Sequence, residues 1–234
     1  MQFDAPLIEG ELIKRYKRFL ADVRLEDGTV VTSHTPNTGS MKGCAEPGSR
    51  VWLRDSGNPK RKYPLSWELV QPPGGCIVGI NTGLPNRLVS DAIEQGVVTE
   101  LAGYDEIKPE VKYGEENSRI DLLLTGENNS DCYVEIKNVT LVEERIAYFP
   151  DAVTARGTKH LRELMAMVKA GHRAVIFFCV QRGDATDVRP ADMIDPEYGK
   201  TLRTAIESGV EALAYGASPS PESITLNRQL TVSI

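Results

Sequence analysis

The chain has 234 residues, with 41% hydrophobic and 26% charged residues and a formal net charge of −6. That is the make-up of a globular protein with room for one large domain or two small ones, and it excludes a wholly disordered, collagenous or coiled-coil chain. The acidic balance argues at first sight against a nucleic-acid partner. The longest strongly apolar run, Ala174 to Val180, is too short to span a bilayer. The start, MQFDAPLIEG, lacks a basic region followed by an apolar one, so no signal peptide is expected. Cys44, Cys76, Cys132 and Cys179 are far apart, the three histidines are scattered, and no C-x-x-C or HExxH occurs. A Cys/His zinc site is therefore not indicated, and a cytoplasmic, disulfide-free protein without a membrane partner is expected.

The first third predicts short strands at Leu7–Ile13, Phe19–Leu25, Val30–His34, Arg50–Arg54, Tyr63–Val70 and Cys76–Ile80. Asp27-Gly28 between two of them is a tight-hairpin signal. Five or six strands in about 80 residues point to a small all-β barrel or sandwich, an OB-like barrel being one option. Trp52 and Trp67 lie in apolar strand contexts and read as core. Gln71-Pro72-Pro73-Gly74-Gly75 is a breaker cluster, placing a domain boundary near residue 80.

Beyond it the pattern becomes mixed. Pro85–Gln95 predicts a helix stopped by Gly96, and Glu110–Tyr113, Arg119–Thr125 and Cys132–Lys137 predict strands. Thr158–Ala170 has a helical apolar face in Leu161, Leu164, Met165 and Val168. Ala174–Val180 reads as a strand covered on both faces, followed by a helix over Pro196–Ser208 and strands over Val210–Tyr215 and Ile224–Ile234. Strand, helix, strand, helix, strand implies parallel neighbours in a central α/β sheet.

Charge is uneven along the chain. Residues 1–80 hold 11 Lys/Arg against 9 Asp/Glu, a net of +2, and residues 81–234 hold 16 against 24, a net of −8. The basic residues of the first part cluster at Lys14, Arg15, Lys17 and Arg18 and again at Lys60, Arg61 and Lys62, with Tyr16, Phe19 and Tyr63 beside them. Such groups contact phosphates and stack on bases, or simply face solvent at strand ends. The loop His34 to Met41, with Asn37 and Ser40, is rich in amides and hydroxyls. It suits a phosphate backbone, a domain junction, or a self-stabilised turn. Asn-Thr-Gly occurs twice, at Asn37–Gly39 and Asn81–Gly83.

The chemistry concentrates in Arg119 to Lys137. Two apolar-rich strands flank GENNSD, so a hairpin is expected. Centred on Asn128, it sets Asp121 opposite Glu135, Leu123 opposite Tyr133 and Thr125 opposite Asp131. Ile120, Leu122 and Leu124 then face the core with Cys132, Val134 and Ile136, while Asp121, Glu135 and Lys137 share the other face. Opposed carboxylates repel, and a divalent cation between them removes that cost. Mg²⁺ or Mn²⁺ there could polarise a phosphodiester and activate water, with Lys137 assisting. The bland reading is an ordinary half-exposed strand pair. Glu94 or Glu100, in or just after the first helix, could add a carboxylate, although acids near helix ends are ordinarily solvent-facing. Arg156, Lys159 and His160 open the long helix, whose N-terminus suits a phosphate.

The D…E-x-K hairpin between helices resembles the PD-(D/E)XK nuclease core. More specifically, HTPNTGSM, EPGSRVWL, NTGLPNRLV, ELAGY, SRIDLLL, YVEIKNVTL, ARGTKHLREL and RPADMIDPEYG resemble the sugar fermentation stimulation protein A family through most of the chain. The resemblance implies an OB-fold domain over residues 1–80, a PD-(D/E)XK nuclease-like domain over 81–234, and DNA binding. It makes Asp121, Glu135 and Lys137 the catalytic triplet, with no departure at these positions. The expected activity is metal-dependent cleavage of nucleic acid, with DNA favoured over RNA. The alternative is a non-catalytic DNA-binding regulator of sugar (maltose) metabolism genes. Oligomeric state, including a homodimer, is left open.

Overall fold

A computed structural model describes residues 1–114 and 118–234. The first part is a barrel built from β1 (Ile8–Tyr16), β2 (Leu20–Leu25), β3 (Val30–His34), β4 (Arg50–Asp55), β5 (Leu65–Gln71) and the short β6 (Val78–Gly79). The strand order is β3-β2-β1-β4-β5-β6, and His34 pairs in parallel with Ser66 to close β3 onto β5. This is the OB-like barrel expected from the strand spacing. Leu12, Val23, Val51, Leu53 and Trp67 fill it. Trp52 instead turns outward with Leu69 into the core of the second part, as alternation along a strand requires. The Asp27-Gly28 turn forms as read, with Gly28 at φ 85°.

The second part has α1 (Pro85–Glu94), β7 (Glu106–Tyr113), β8 (Ser118–Gly126), β9 (Asn129–Val139), β10 (Val142–Glu143), β11 (Ile146–Phe149), α2 (Ala155–Lys169), β12 (Arg173–Val180), β13 (Asp187–Pro190), α3 (Pro196–Glu207), β14 (Glu211–Pro219), β15 (Ile224–Gln229) and β16 (Thr231–Val232). The main sheet runs β15-β14-β12-β9-β8-β7, with β9, β12 and β14 mutually parallel. The βαβαβ reading of the sequence thus matches the topology. Leu88, Val89, Ala92 and Ile93 of α1 cover one face of the sheet, and α2 and α3 cover the other through Leu161, Leu164 and Leu202. A small sheet, β10-β11-β13-β16, was not visible in the sequence because its strands have two to four residues.

Helix α2 begins three residues before the expected Thr158. Thr154 is its N-cap, and its hydroxyl accepts the Gly157 N–H at 3.0 Å. All four cysteines are free thiols. Among the described residues no helix is long and apolar enough to cross a membrane.

The β8–β9 hairpin keeps the expected register at Leu122↔Val134, Leu123↔Tyr133 and Leu124↔Cys132. Two departures follow from local irregularity. A shift between Leu124 and Gly126 pairs Gly126 with Asn129, so the expected Thr125–Asp131 pair does not form. At the other end, Ile120 joins the cluster on the α2 side, whereas Leu122 and Leu124 face α1. The face changes beside Glu110 of β7, which has φ 56° between the pairs Pro109↔Leu122 and Val111↔Ile120.

Candidate active site

Strand alternation places Glu135 and Lys137 on the α2 side of β9, where the helix buries them. Glu135 is 2% exposed and Lys137 9%. Lys137 Nζ donates to Glu135 Oε1 at 2.7 Å. The same oxygen contacts His160 Nδ1, and Arg156 Nε donates to His160 Nε2 at 3.3 Å. A guanidinium can only donate, so Nε2 is the accepting nitrogen and Nδ1 carries the proton given to Glu135. One carboxylate oxygen is thereby held by a lysine and a histidine. Glu135 Oε2 is buried with no hydrogen-bond partner.

Asp121 reaches the site by another route. The ladder ends at Leu122↔Val134, and the Ile136 N–H just beyond is taken by Asp121 Oδ2 at 2.7 Å. Asn86, in the first turn of α1, donates to Asp121 Oδ1 at 3.1 Å and to Glu110 Oε1 at 3.3 Å. Burial raises the Asp121 carboxyl, and the negative charge of Glu135 adds to it, to about 6. Burial also opposes charge on Glu135, but the His160 hydrogen bond and then the Lys137 charge prevail and hold it below the ordinary carboxylate range. The two acids are therefore driven apart, a pattern common at catalytic sites.

Among the described residues no three Asp, Glu, His or Cys side chains form a ready-made metal cage. The donor set suits a hard divalent ion that takes one or two carboxylates and completes its shell with water and phosphate oxygens. The orphaned Glu135 Oε2 is the atom such an ion would satisfy.

The remaining site residues read from the sequence are distributed differently. His160 is 4% exposed and grips Glu135, rather than facing a phosphate from the helix end. Arg156 is exposed beside it, and Lys159 is half-buried on the same turn. Glu100 is drawn away: its carboxylate accepts from Tyr215 at 2.7 Å and from Gln229 at 2.6 Å, on β14 and β15. Glu94 is exposed in the last turn of α1. Asn86, not Glu94, meets Asp121, and eight residues of helix set the two roughly 12 Å apart along the axis.

In the barrel, Arg15 is committed inward. Its guanidinium donates to the carbonyls of Arg18 at 2.7 Å, Gly39 at 2.9 Å and Asn37 at 3.1 Å. Arg18 donates to the Thr38 carbonyl at 2.8 Å. Lys17 and Arg18 form the β1–β2 turn at φ 50° and 65°, and Lys14 lies 3.6 Å from Asp22. Lys60, Arg61 and Lys62 are exposed on the β4–β5 loop, with Lys62 over the Tyr63 ring.

The His34–Met41 loop lies at the domain junction. Asn37 Oδ1 accepts the Gly39 N–H, while Ser40 gives both its N–H and its hydroxyl to Asp151, the latter at 2.8 Å. The second Asn-Thr-Gly repeats the turn, with Asn81 Oδ1 accepting from Gly83, and Thr82 donates to the Pro36 carbonyl at 2.8 Å. The twin tripeptides therefore meet across the junction.

Sequence reasoning did not single out Tyr113, Glu110 or Glu163 as site residues. The Tyr113 hydroxyl is buried without a partner, and the charges of Glu135, Glu163 and Asp121 add to burial in pushing it upward. Glu163 is 4% exposed and lies three residues after His160, on the same helix face. That spacing was the available signal. For Glu110 there was none, since its role depends on a backbone irregularity.

Comparison with known proteins agrees with this two-part layout. Residues 13–80 match the SfsA N-terminal OB domain, and residues 83–223 match the sugar fermentation stimulation protein RE domain. A sugar fermentation stimulation protein homolog of Pelobacter propionicus is 66% identical over 227 residues, covering 97% of each chain. One from Geobacter metallireducens is 63% identical over 99% of each. The structure of Pyrococcus furiosus SfsA in complex with Ca²⁺ superimposes with a TM-score of 0.88 at 29% identity, covering 100% of this chain and 98% of that one.

Proposed function

The chain belongs to the sugar fermentation stimulation protein family, and from that premise we propose that it is a metal-dependent phosphodiesterase that cuts nucleic acid, with DNA as the favoured substrate. The observation that carries this reading is Glu135 Oε2, a buried carboxylate oxygen without a hydrogen-bond partner. Its other oxygen is held by Lys137 and His160, so the carboxylate is charged and dry with one oxygen unsatisfied, a costly arrangement that a bound cation would relieve. The complex of the Pyrococcus furiosus relative with Ca²⁺ supports a divalent ion, and Mg²⁺ or Mn²⁺ fits phosphodiester chemistry.

Glu135 and Asp121 would hold the ion. Its contribution when bound would be to polarise the phosphodiester and ease ionisation of water. Each protein group then has a defined task. His160 fixes the Glu135 carboxylate through Oε1, so that Oε2 keeps its direction. Asn86 and the Ile136 N–H do the same for Asp121. The Lys137 ammonium offsets charge that develops on the phosphate oxygens. Arg156, exposed at the start of α2, is available to the phosphate from the solvent side.

The test is a panel of single-stranded and duplex DNA and RNA incubated with Mg²⁺, Mn²⁺ or EDTA. Wild type should cut only with metal. Glu135→Gln and Lys137→Ala should lose cutting while keeping fold and most binding. Cutting by both variants at the wild-type rate would sink the reading. Binding without metal-stimulated cutting of any substrate would sink it too, and would favour a non-catalytic DNA-binding regulator.

A further inference from the structure

A partly open cavity of about 180 Å³ lies between the two domains, lined by Asn37, Thr38, Thr82, Asn138, Tyr148 and Asp151 among others. It neighbours the carboxylate site through the elements that build both: Thr82 lies four residues before Asn86, which donates to Asp121, and Asp151 lies three residues before the cap of α2, the helix that carries His160. No Lys or Arg lines it. Arg15 and Arg18, the nearby cations, spend their guanidinium groups on the carbonyls of residues 37–39. With a carboxylate in its wall and no cation, the cavity is unsuited to a phosphate.

It is suited to a flat neutral group that both donates and accepts. Asn37 Oδ1 is held by the Gly39 N–H, and Asn138 Oδ1 by Gln181 at 2.6 Å. Both amide orientations are thus set, and each Nδ2 remains as a donor. Asp151 Oδ2 is engaged by Ser40, and among the described residues no hydrogen bond reaches Oδ1. Tyr148 and Phe149 of β11 complete the lining. Gly39 leaves room for both groups, since a Cβ there would meet Asn37 Oδ1 and Asp151 Oδ2 at 3.0 Å each. The volume is room for a flat group the size of one base.

We infer that this cavity receives one unpaired base of the strand, next to the phosphate held at Asp121 and Glu135, so that the preferred substrate is single-stranded DNA. The location of that phosphate rests on the nuclease reading, but the base subsite is testable without any cleavage. An enzyme acting inside a duplex must extrude the base first, and an unpaired strand avoids that cost.

The experiment measures equilibrium binding in EDTA, where no cutting complicates the result. The probes are a short fluorescein-labelled single strand of mixed sequence and a blunt duplex. Thr38→Trp, at an exposed loop position, fills the mouth of the cavity with an indole. It should weaken single-strand binding by about tenfold or more, the loss expected when a stacked base is shut out. Duplex binding should stay within about twofold of wild type by the same measure. In wild-type protein the single strand should shift the backbone amide resonances of Thr38, Thr82 and Asn138, and the duplex should not. The inference is overturned if Thr38→Trp binds the single strand as wild type does, or if none of those amides moves. Should Thr38→Trp misfold by circular dichroism, the resonance mapping decides alone. Base binding without cleavage would remove the nuclease reading and keep the subsite. Cleavage with no cavity response would do the reverse.

Discussion

Asp121 has a liability that can be weighed. Burial and the Glu135 charge raise its carboxyl from the ordinary 3.8 to about 6. The folded state therefore binds this proton more tightly than the unfolded state does. Between about pH 4 and 6 the native protein holds more protons, so its stability falls as pH rises through that window. At ~1.4 kcal/mol per pH unit the full penalty is ~3 kcal/mol, present above pH 6 when no metal is bound. Asp121→Asn removes the charge but keeps an oxygen to accept the Ile136 N–H. In EDTA at pH 8 the variant should be more stable than wild type by ~1–3 kcal/mol, or about 2–12 °C in melting temperature for a chain of this size. Near pH 4.5 most of the advantage should vanish, because wild-type Asp121 is then protonated. Thermal unfolding in EDTA at both pH values reads the effect directly. An advantage that is the same at both pH values, or destabilisation at pH 8, would refute the view that Asp121 is an electrostatically costly group kept for ligand binding. Wild type should be stabilised by Mg²⁺ or Mn²⁺, and the same variant should lose that stabilisation.

The other outcomes follow from named contacts. Arg15→Ala should cost ~1–2 kcal/mol in urea unfolding, because four carbonyls lose a charged donor, and Arg15→Lys should not restore it, since one ammonium cannot span them. Glu100→Gln should cost ~1 kcal/mol through its bonds to Tyr215 and Gln229 and leave any cleavage rate unchanged; a loss of cleavage in a folded protein would return Glu100 to the metal site.

Much of the fold was legible because its signals are local. Strand spacing and the Asp27-Gly28 turn announce the barrel, and the Ala174–Val180 run between two amphipathic helices announces the parallel sheet. Hairpin symmetry about Asn128 sets Leu123 opposite Tyr133, and period-two alternation puts Glu135 and Lys137 on one face. The net charge of −6 that first argued against nucleic acid includes these acids.

What local pattern could not supply was how distant elements complete the site. The break at Glu110 and the end of the ladder after Leu122 turn Asp121 toward the Ile136 N–H. The packing of α2 turns His160 from a helix-end residue into the group that orients Glu135. The folding of residues 37–40 against Asp151 and Thr82 turns Arg15 and Arg18 from surface cations into supports for a junction. Each outcome depends on which hydrogen-bond partners survive burial. Composition and periodicity state which residues are able to bond; only the packed chain decides which atoms come within reach and which, like Glu135 Oε2, are left without a partner.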